Sequence, residues 1–492
     1  MSAVSFRGRP TAELSASCPD VMRQRTWATA ALVLAGVVAW LAFEIPRGTL
    51  THTDELLTAE RSREMLLTGP WVVHYNFQRS FEKPPLQFWL TSLTLSRLHN
   101  RTLAVRVWPL FYGCLTMGAL GWLVCLVEPN RPWLIPLSLG VLASSPLFSP
   151  EAGRGFLDMG LTFFTISAIL FAQLARNRPA WWLGVAAASW LGSLQKFPMP
   201  FLVWLLIVLV RLTSRVERPK LRSWWLVASV LLALATMAIW PLIQITKYGM
   251  SPGHLFHEEV VVWTGPANLG VRPYFVVLYG LSTIGGVCGL LSFLAAFFVL
   301  FSKKERSPLA VREISVVSLA VIGLTIVSNF RGVRYIVPII PCLCFLLALV
   351  FYRFLERGSI IRLCTAVVLI LVLSAGFVQS AITIERRRKD VADEKLIAEK
   401  LGELQQAGMR TVLIRAEPPG EDLLWDSFYL FHGNLRFPVQ AYTPERIRRN
   451  PPKPPLVGVC VTRDFPLIRE LYPNVQVEFS RAQFICWRVF GQ

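Results

Sequence analysis

The sequence predicts a mainly α-helical, polytopic membrane protein that ends in a small α/β domain. The chain of 492 residues is 53% hydrophobic and only 16% charged, and its mean hydropathy is +0.48. A typical water-soluble domain is about one quarter charged. Long apolar runs recur along most of the chain, and many of the charged residues cluster between them. This composition excludes a disordered chain and a small disulfide-rich fold.

The apolar runs predict about eleven to thirteen membrane-spanning helices, because about 20 apolar residues are needed to cross the hydrocarbon core. The candidate runs are 27–46, 104–127, 133–149, 156–175, 180–194, 198–213, 224–246, 273–302, 313–328, 335–352 and 361–383. The short runs on either side of Lys196 are interpreted either as parts of one broken helix or as a tight hairpin.

The basic residues predict how the helices are oriented. Arginines cluster between residues 7 and 25, before the first run, and every second loop after it is basic. Since cytoplasmic loops carry the excess of Lys and Arg, we predict a cytoplasmic N-terminal segment, 1–26. The basic cluster 386–389 does not follow this alternation, because it falls on the outer side. We interpret it as a basic cluster that is tolerated there. The net charge of +19 is explained by these loops, so no nucleic-acid partner is predicted.

The transmembrane domain is predicted to cover 27–384 and to carry a long first extracytoplasmic loop, 47–103. Within this loop, Thr53 or Asp54 can cap one helix that Gly69-Pro70 ends, and Pro84-Pro85 opens a second. The apolar side of the second helix suits a position at the membrane interface, and packing against other helices is the alternative.

The remaining residues, 385–492, alternate between helix-like and strand-like stretches and predict a small soluble α/β domain. The helix-like stretch is 390–407, and the strand-like stretches are 411–415, 456–461, 475–480 and 484–490. Counting the predicted membrane helices from a cytoplasmic N-terminal segment places this domain on the extracytoplasmic side. Two of its cysteines, Cys460 and Cys486, either pair or remain buried thiols.

Carboxylates from distant segments fall on the outer side of this topology. Asp54 and Glu55 follow the first run, Glu82 lies between the two loop helices, and Asp158 begins the fourth run. Ionisable groups at such depth are costly and mark candidate functional sites. The structural alternatives are that Asp54 caps the loop helix and that Asp158 pairs with Arg154.

Cations fall on the same outer side. Lys83 follows Glu82, Lys196 interrupts an apolar stretch, and Arg331 and Arg334 precede the tenth run. Such lysines can instead extend their charged groups to the membrane interface and anchor the helices there. Arg334-Tyr335 can likewise form an ordinary interfacial pair. Those alternatives do not explain why acids and cations gather together there.

Acids and cations at an outer membrane surface suit the transfer of a sugar from a polyprenyl-phosphate carrier. Lys or Arg would bind the carrier phosphate, and an apolar groove would hold its lipid tail. Because the phosphate leaves as a stable anion, the reaction needs a base for the acceptor hydroxyl and no general acid. Direct displacement of this kind inverts the anomeric centre.

The segments TDELLTAERSREMLLTG and SFEKPPLQFWL resemble the first outer loop of the C-type, polyprenyl-phosphate-dependent glycosyltransferases. The similarity is to lipid A aminoarabinose transferases and protein mannosyltransferase-like enzymes, glycosyltransferase families 39 and 83. GFLDMGLTFF, LQKFP and RGVRYIVPIIP resemble further motifs of these families, in the same order. The resemblance covers about 27–355.

This resemblance implies that Asp54 is the catalytic base and Asp158 the second acid. It also implies that Lys83, Lys196 and Arg334 bind the donor phosphate. We further predict that Glu55 is catalytic, that Arg331 binds the phosphate, and that the substrate-binding residues are Glu82, Tyr335 and His257.

The partners implied are a polyprenyl-phosphate sugar donor, membrane lipids and a glycolipid, glycan or protein acceptor. The predicted location is a bacterial inner or plasma membrane, with the active site on the extracytoplasmic side. The sequence departs from the aminoarabinose transferases at Leu57 and Thr58, where those enzymes have Arg-Tyr, and at Ser80, where they usually have Tyr.

A divalent metal is the one possible cofactor. His254 and His257 lie beside two glutamates in a single outer loop, and Glu82 is a further candidate ligand. A solvated polar loop is the alternative interpretation.

A membrane transporter or flippase is the alternative function. Such proteins place their ionisable groups near the membrane midplane and are often built from repeats. The clustering at one surface favours the enzyme.

Overall fold

The computed structural model describes residues 20–196, 198–253, 278, 280–283, 285–302, 308–327, 333–386, 391–414 and 422–491. Fourteen α-helices precede the C-terminal domain in these ranges. They are α1 (Asp20–Glu44), α2 (Thr53–Thr68), α3 (Leu86–Leu95), α4 (Arg101–Val127), α5 (Leu134–Ser144), α6 (Ser149–Ala152), α7 (Asp158–Leu174), α8 (Trp182–Gln195), α9 (Met199–Thr213), α10 (Trp224–Tyr248), α11 (Gly286–Phe301), α12 (Leu309–Val327), α13 (Ile340–Leu355) and α14 (Ser359–Arg386).

A described helix lies on each predicted apolar run, which confirms the predicted fold class. Six described helices are long and apolar enough to cross a membrane on their own, and four more are apolar but shorter. The two short runs around Lys196 form a hairpin, because α8 and α9 pack against each other. Gly192 makes this approach possible, since a Cβ there would lie 2.5 Å from Pro200.

The centre and the periphery of the bundle differ in burial. In the most apolar stretch of Arg334–Leu355, 83% of the residues are buried inside the protein. In that of Trp224–Tyr248, only 11% are buried. α10 therefore presents its leucines and valines outward, which is stable only against lipid. A 3-10 segment, Val333–Ile339, leads into α13 and contacts α7.

The loop between α1 and α4 contains the two predicted helices. α2 ends at Gly69, whose φ of 103° suits glycine, and α3 follows Pro85. The predicted cap is wrong: His52 is the N-cap, and its ring nitrogen accepts a hydrogen bond from the Asp54 amide. A short hairpin, β1 (His74–Tyr75) and β2 (Gln78–Arg79), connects the helices.

The C-terminal residues form a five-stranded mixed sheet with helices on both faces. Its elements are α15 (Ala392–Leu404), β3 (Arg410–Ile414), α16 (Asp422–His432), β4 (Val439–Tyr442), α17 (Pro444–Arg449), β5 (Leu456–Val461), α18 (Phe465–Leu471), β6 (Gln476–Arg481) and β7 (Phe484–Val489). The strand order is β4-β3-β5-β7-β6, and β3 is parallel to both of its neighbours. α15 and α16 cover one face, and α17 and α18 cover the other.

Candidate functional site

Asp54 lies in the first turn of α2, with its carboxylate directed at the 3-10 segment before α13. Its Oδ2 atom is 2.6 Å from Nη2 of Arg334. The two side chains remain 41% and 39% exposed, so a substrate can reach this ion pair from outside. Because His52 makes the helix cap, the Asp54 carboxylate is not needed for capping.

Asp158 begins α7 and forms a second, more deeply buried ion pair. Its Oδ1 atom is 2.7 Å from Nζ of Lys196, which directly follows α8, and the side chains are 4% and 14% exposed. The structural alternative for Asp158, a pair with Arg154, stays a prediction beside this observed contact with Lys196. The Lys196 ammonium also lies 5.1 Å from the centre of the Tyr335 ring. Lys196 and Tyr335 thus link the buried pair to the segment that carries Arg334.

Phe156 brings the two ion pairs together. Its buried ring lies 5.0 Å from the Arg334 guanidinium and 4.9 Å from the His52 ring. Phe156 precedes Asp158 by two residues. Cation–ring contacts of this kind stabilise a guanidinium while leaving its N–H groups available for an anion.

The charges of the site act on one another. Burial alone would raise the pKa of Asp54, but the charge and hydrogen bond of Arg334, with a smaller contribution from the charge of Lys196, hold that pKa below its usual value. Burial and the charge of Arg154 lower the pKa of His52 to about 4. Asp54 is therefore ionised and His52 neutral near pH 7.

Glu55 takes part in a different ion pair and contacts two other segments. Its two carboxylate oxygens lie 2.7 and 3.0 Å from Nε and Nη2 of Arg106 in α4. Its Oε1 atom also accepts a hydrogen bond from the Gly155 amide at 3.0 Å. Glu55 is buried, and both of its oxygens are occupied, so this geometry suits a positioning role better than the predicted catalytic role.

Of the other predicted residues, two are described and three lie outside the described ranges. Glu82 pairs with Arg61 of α2, and Lys83 is half-buried in the turn before α3. Arg331, His254 and His257 lie outside the described residues, and their roles stay predictions. Among the residues described, no group of three or more His, Cys, Asp or Glu is arranged to hold a metal ion.

Sequence reasoning missed three residues that shape the site: His52, Arg106 and Phe156. Arg106 carried a usable signal, since it is a charged residue inside an otherwise apolar helical run. His52 directly precedes the predicted loop helix, where a capping side chain is expected. Phe156 had no signal, because an aromatic residue in an apolar run is ordinary.

Proteins of known function share parts of this sequence. An undecaprenyl phosphate-alpha-4-amino-4-deoxy-L-arabinose arabinosyl transferase of Pseudomonas fluorescens is 29% identical over 255 residues, which are 48% of this chain and 45% of the relative. A transferase of the same name from Pseudomonas paraeruginosa is 28% identical over 270 residues, 52% of this chain and 47% of the relative. The chain thus spans about half the length of these curated relatives. No family model matches the chain.

Solved structures share the fold over nearly the whole chain. ArnT from Cupriavidus metallidurans, bound to undecaprenyl phosphate, aligns with a TM-score of 0.72 at 17% identity, covering 93% of this chain and 97% of that one. The Archaeoglobus fulgidus oligosaccharyltransferase aligns with a TM-score of 0.60 at 14% identity, covering 83% and 64%. The chain is therefore an integral membrane protein that has the fold of ArnT and is similar, over about half of its length, to undecaprenyl phosphate-aminoarabinose arabinosyl transferases.

Proposed function

We propose that this protein is an integral-membrane glycosyltransferase that moves a sugar from a polyprenyl-phosphate donor to an envelope acceptor. The observation that carries the proposal is the pairing of Asp54 with Arg334 and of Asp158 with Lys196 in one constellation. These residues stand at the positions that the resemblance assigned to the base, the second acid and the phosphate ligands. The fold shared with ArnT, which was solved with undecaprenyl phosphate, supports the same reaction class.

Arg334 and Lys196 bind the donor phosphate in this proposal. A guanidinium can contact two phosphate oxygens at once, whereas an ammonium acts as a compact point charge. Lys83 and Arg331 are proposed to complete the phosphate site, as the sequence predicted. The apolar helices around the site would hold the isoprenoid tail within the membrane.

Asp54 is proposed as the base that removes the acceptor proton. The acceptor oxygen attacks the anomeric carbon, the bond from that carbon to the phosphate oxygen breaks, and polyprenyl phosphate leaves with the electron pair. The hydroxyl proton passes to Asp54. Attack opposite to the leaving group inverts the anomeric centre.

Donor binding would also activate the base. In the ion pair the positive charge of Arg334 keeps the Asp54 carboxylate weakly basic, because it lowers the pKa of that group. A donor phosphate competes for the same guanidinium and compensates its charge. The pKa of Asp54 then rises toward a value that favours proton transfer, so the base gains strength when the donor is in place.

The relatives' names point to 4-amino-4-deoxy-L-arabinose as the first sugar to test. We propose a lipid A-like glycolipid as the acceptor, at a hydroxyl or phosphate group, with a glycan or protein as the further classes. We also propose that the site and residues 385–492 face the extracytoplasmic side of a bacterial inner membrane. The contacts between the first loop and the C-terminal domain support placing both on one side.

The experiment is a transfer assay with the full chain in lipid nanodiscs. The probes are undecaprenyl phosphate-linked aminoarabinose and lipid A, and mass spectrometry measures the sugar added to the acceptor. We expect transfer by the wild type and a loss of about 10²- to 10⁴-fold in Asp54→Asn, the range typical of a general base. Asp393→Asn is the matched control, because Asp393 pairs with Arg481 on the exposed side of the C-terminal domain.

Two results would overturn the proposal. One is wild-type protein that transfers no sugar from this or any other polyprenyl-phosphate sugar, tested with glycolipid, glycan and peptide acceptors, yet moves a lipid-linked sugar across the bilayer. That result would establish a transporter. The other is full transfer by Asp54→Asn, which would remove Asp54 from the chemistry.

A further inference from the structure

α2 is a polar helix in a buried place. Helices that are polar all round usually face solvent. Here Glu60 and Glu64 are 0% exposed, and Arg63, between them, is 5% exposed. The helix lies between the membrane bundle and the C-terminal domain, and it contacts both α3 and α16. Burying such ionisable groups costs free energy unless they are paired.

Most of the buried ionisable groups of α2 are hydrogen-bonded to each other or to neighbouring segments, although Oε1 of Glu64 has no hydrogen-bond partner among the described residues. Arg63 donates from Nε and Nη2 to the two Glu60 oxygens at 2.8 and 2.6 Å. Its Nη1 atom donates to Oδ1 of Asn434, in the C-terminal domain, at 3.4 Å. Glu64 accepts a hydrogen bond from the Phe77 amide at 2.9 Å. One polar cluster therefore connects α2 to the β1–β2 hairpin and to the domain.

The tip of that hairpin docks on the edge of the C-terminal sheet. Asn76 and Phe77 have φ angles of 53° and 61°, the left-handed conformation of a tight turn. The Asn76 side-chain amide donates to the Val439 carbonyl at 2.9 Å and accepts from the Val439 amide at 2.8 Å. Because Val439 belongs to the edge strand β4, the Asn76 amide takes the place of a neighbouring strand at that residue.

A second contact and a shared core strengthen this docking. The Tyr75 hydroxyl lies 3.0 Å from the Ser427 hydroxyl in α16. Leu56 and Ala59 of α2 belong to the same buried apolar cluster as Leu401 of α15 and residues of the sheet. An apolar interface of this kind keeps two parts of a chain in one relative position.

We propose that the C-terminal domain contributes to the transfer site by positioning α2 and therefore Asp54. It does so through the Asn76 turn and through the cluster of Glu60, Arg63 and Glu64. This inference rests on the proposed function. Arg334 and Lys196 are held by the bundle, whereas Asp54 is the second residue of α2. Glu55 fixes the first turn of α2 to the bundle, and the domain fixes the rest of this stiff helix, so both anchors set the distance from the base to the donor. Asn76 and Glu64 are positioning residues in this arrangement.

The protonation of Glu64 gives this arrangement a measurable signature. Burial, followed by the negative charge of Glu60, raises the pKa of Glu64 to about 8. Arg63 on the same helix acts in the opposite direction. The charged or titratable groups near this cluster include Arg61 on α2 itself, Tyr75 of the hairpin, Asp426 of α16, Arg101 of α4 and Glu399 of α15. Above about pH 8 a second carboxylate charge would form beside Glu60 and loosen the cluster.

The experiment uses the full-length protein in nanodiscs and the same transfer assay. Asn76→Gly removes both bonds to Val439 while keeping a residue that tolerates positive φ. We expect its kcat to fall about ten- to a hundredfold, the cost of a misplaced catalytic group, with the donor KM unchanged because the cations stay in place. A second variant, Tyr75→Phe, loses one hydrogen bond, and we expect a smaller fall in its kcat. It tests the same inference if the Asn76 variant does not fold.

Glu64→Gln tests the cluster through the pH profile. Glutamine keeps the shape of a protonated glutamate, so we expect wild-type kcat at pH 7. The wild-type decline above about pH 8 should be absent in this variant. Arg449→Ala is the control, because Arg449 lies on an exposed part of the same domain with a side chain that is 84% exposed.

The inference is overturned if Asn76→Gly and Tyr75→Phe both keep wild-type kcat. It is also overturned if Glu64→Gln declines above pH 8 in parallel with the wild type. These failures are distinct from a failure of the proposed function. If the proposed function is wrong, the wild type and Arg449→Ala would both transfer no sugar, and the inference would be overturned together with the proposed function.

Discussion

Two aspartates of the site have different surroundings, and these suggest different roles. Asp54 is 41% exposed and pairs with an equally accessible Arg334, whereas Asp158 is 4% exposed and pairs with Lys196. An accessible carboxylate can meet an acceptor hydroxyl. A buried one is better suited to orient the lysine that binds the donor.

The pairing of Asp54 with Arg334 predicts a pH effect. Arg334→Ala removes the charge and hydrogen bond that lower the pKa of Asp54, so that pKa should rise. Because the base acts in its ionised form, the acid limb of the kcat/KM profile should move to higher pH. The measurement is kcat/KM between pH 4 and 8, since this ratio reports the free enzyme. An unshifted acid limb would contradict the assignment of Asp54 as the base.

At the scale of the elements, Glu55 ties together the segments that carry the site. Arg106 binds Glu55 and also donates to the carbonyls of Ile45 and Arg47 at 3.2 and 2.9 Å. Gly155 must come close to complete this contact, because a Cβ there would lie 2.4 Å from Val105. This one buried ion pair thus joins four parts of the chain, which are the end of α1, the start of α2, the start of α4 and the segment before α7.

Breaking this pair is expected to cost stability as well as activity. Glu55→Gln leaves the Arg106 guanidinium without its charged partner, and removing one member of a buried pair typically destabilises by about 3–5 kcal/mol. Thermal unfolding in detergent micelles would measure the loss. Glu44→Gln is the control, because its contact with Arg47 is 3.9 Å long and Arg47 is 43% exposed. A Glu55→Gln variant as stable as the wild type would show that the pair is dispensable.

At the scale of the whole molecule, the bundle has a second charged centre at its other end. α7 begins at Asp158, and Arg176 follows its far end, about 25 Å away by the helical rise. Arg176 and Arg211 bind the buried Glu313 of α12 at 2.6 and 2.9 Å. This cluster joins α7, α9 and α12 without touching the transfer site.

Glu313→Gln should therefore separate stability from catalysis. It leaves Arg211 without its carboxylate partner and Arg176 with Glu217 alone, 3.5 Å away, and the expected loss is about 3–5 kcal/mol. The donor KM should stay that of the wild type. The unfolding midpoint and the transfer kinetics are the two measurements. Glu356→Gln is the matched control: its carboxylate pairs with Arg131 and is 47% exposed, so the loss should be about 0–1 kcal/mol. A changed donor KM in Glu313→Gln would link the two ends of the bundle.

Much of this organisation is determined locally and could be predicted from the sequence. Apolar runs predict membrane helices because hydrocarbon thickness sets a minimum length. Gly69 and Pro85 mark helix boundaries through their own backbone preferences. Asp54, Asp158, Lys196 and Arg334 could be selected because their charges are costly where the predicted topology places them.

Only the tertiary structure decided which of these charges meet. Asp158 pairs with Lys196, which is 38 residues away in the sequence, and Glu55 binds Arg106 and the Gly155 amide. Cys460 and Cys486 are both free, because the register pairs Cys460 with Ile485 and places the two side chains on opposite faces of the sheet. The burial of the polar helix α2 depends equally on the domain that covers it. Helix length and capping are properties of adjacent residues, whereas ion pairing and burial depend on segments that only folding brings together.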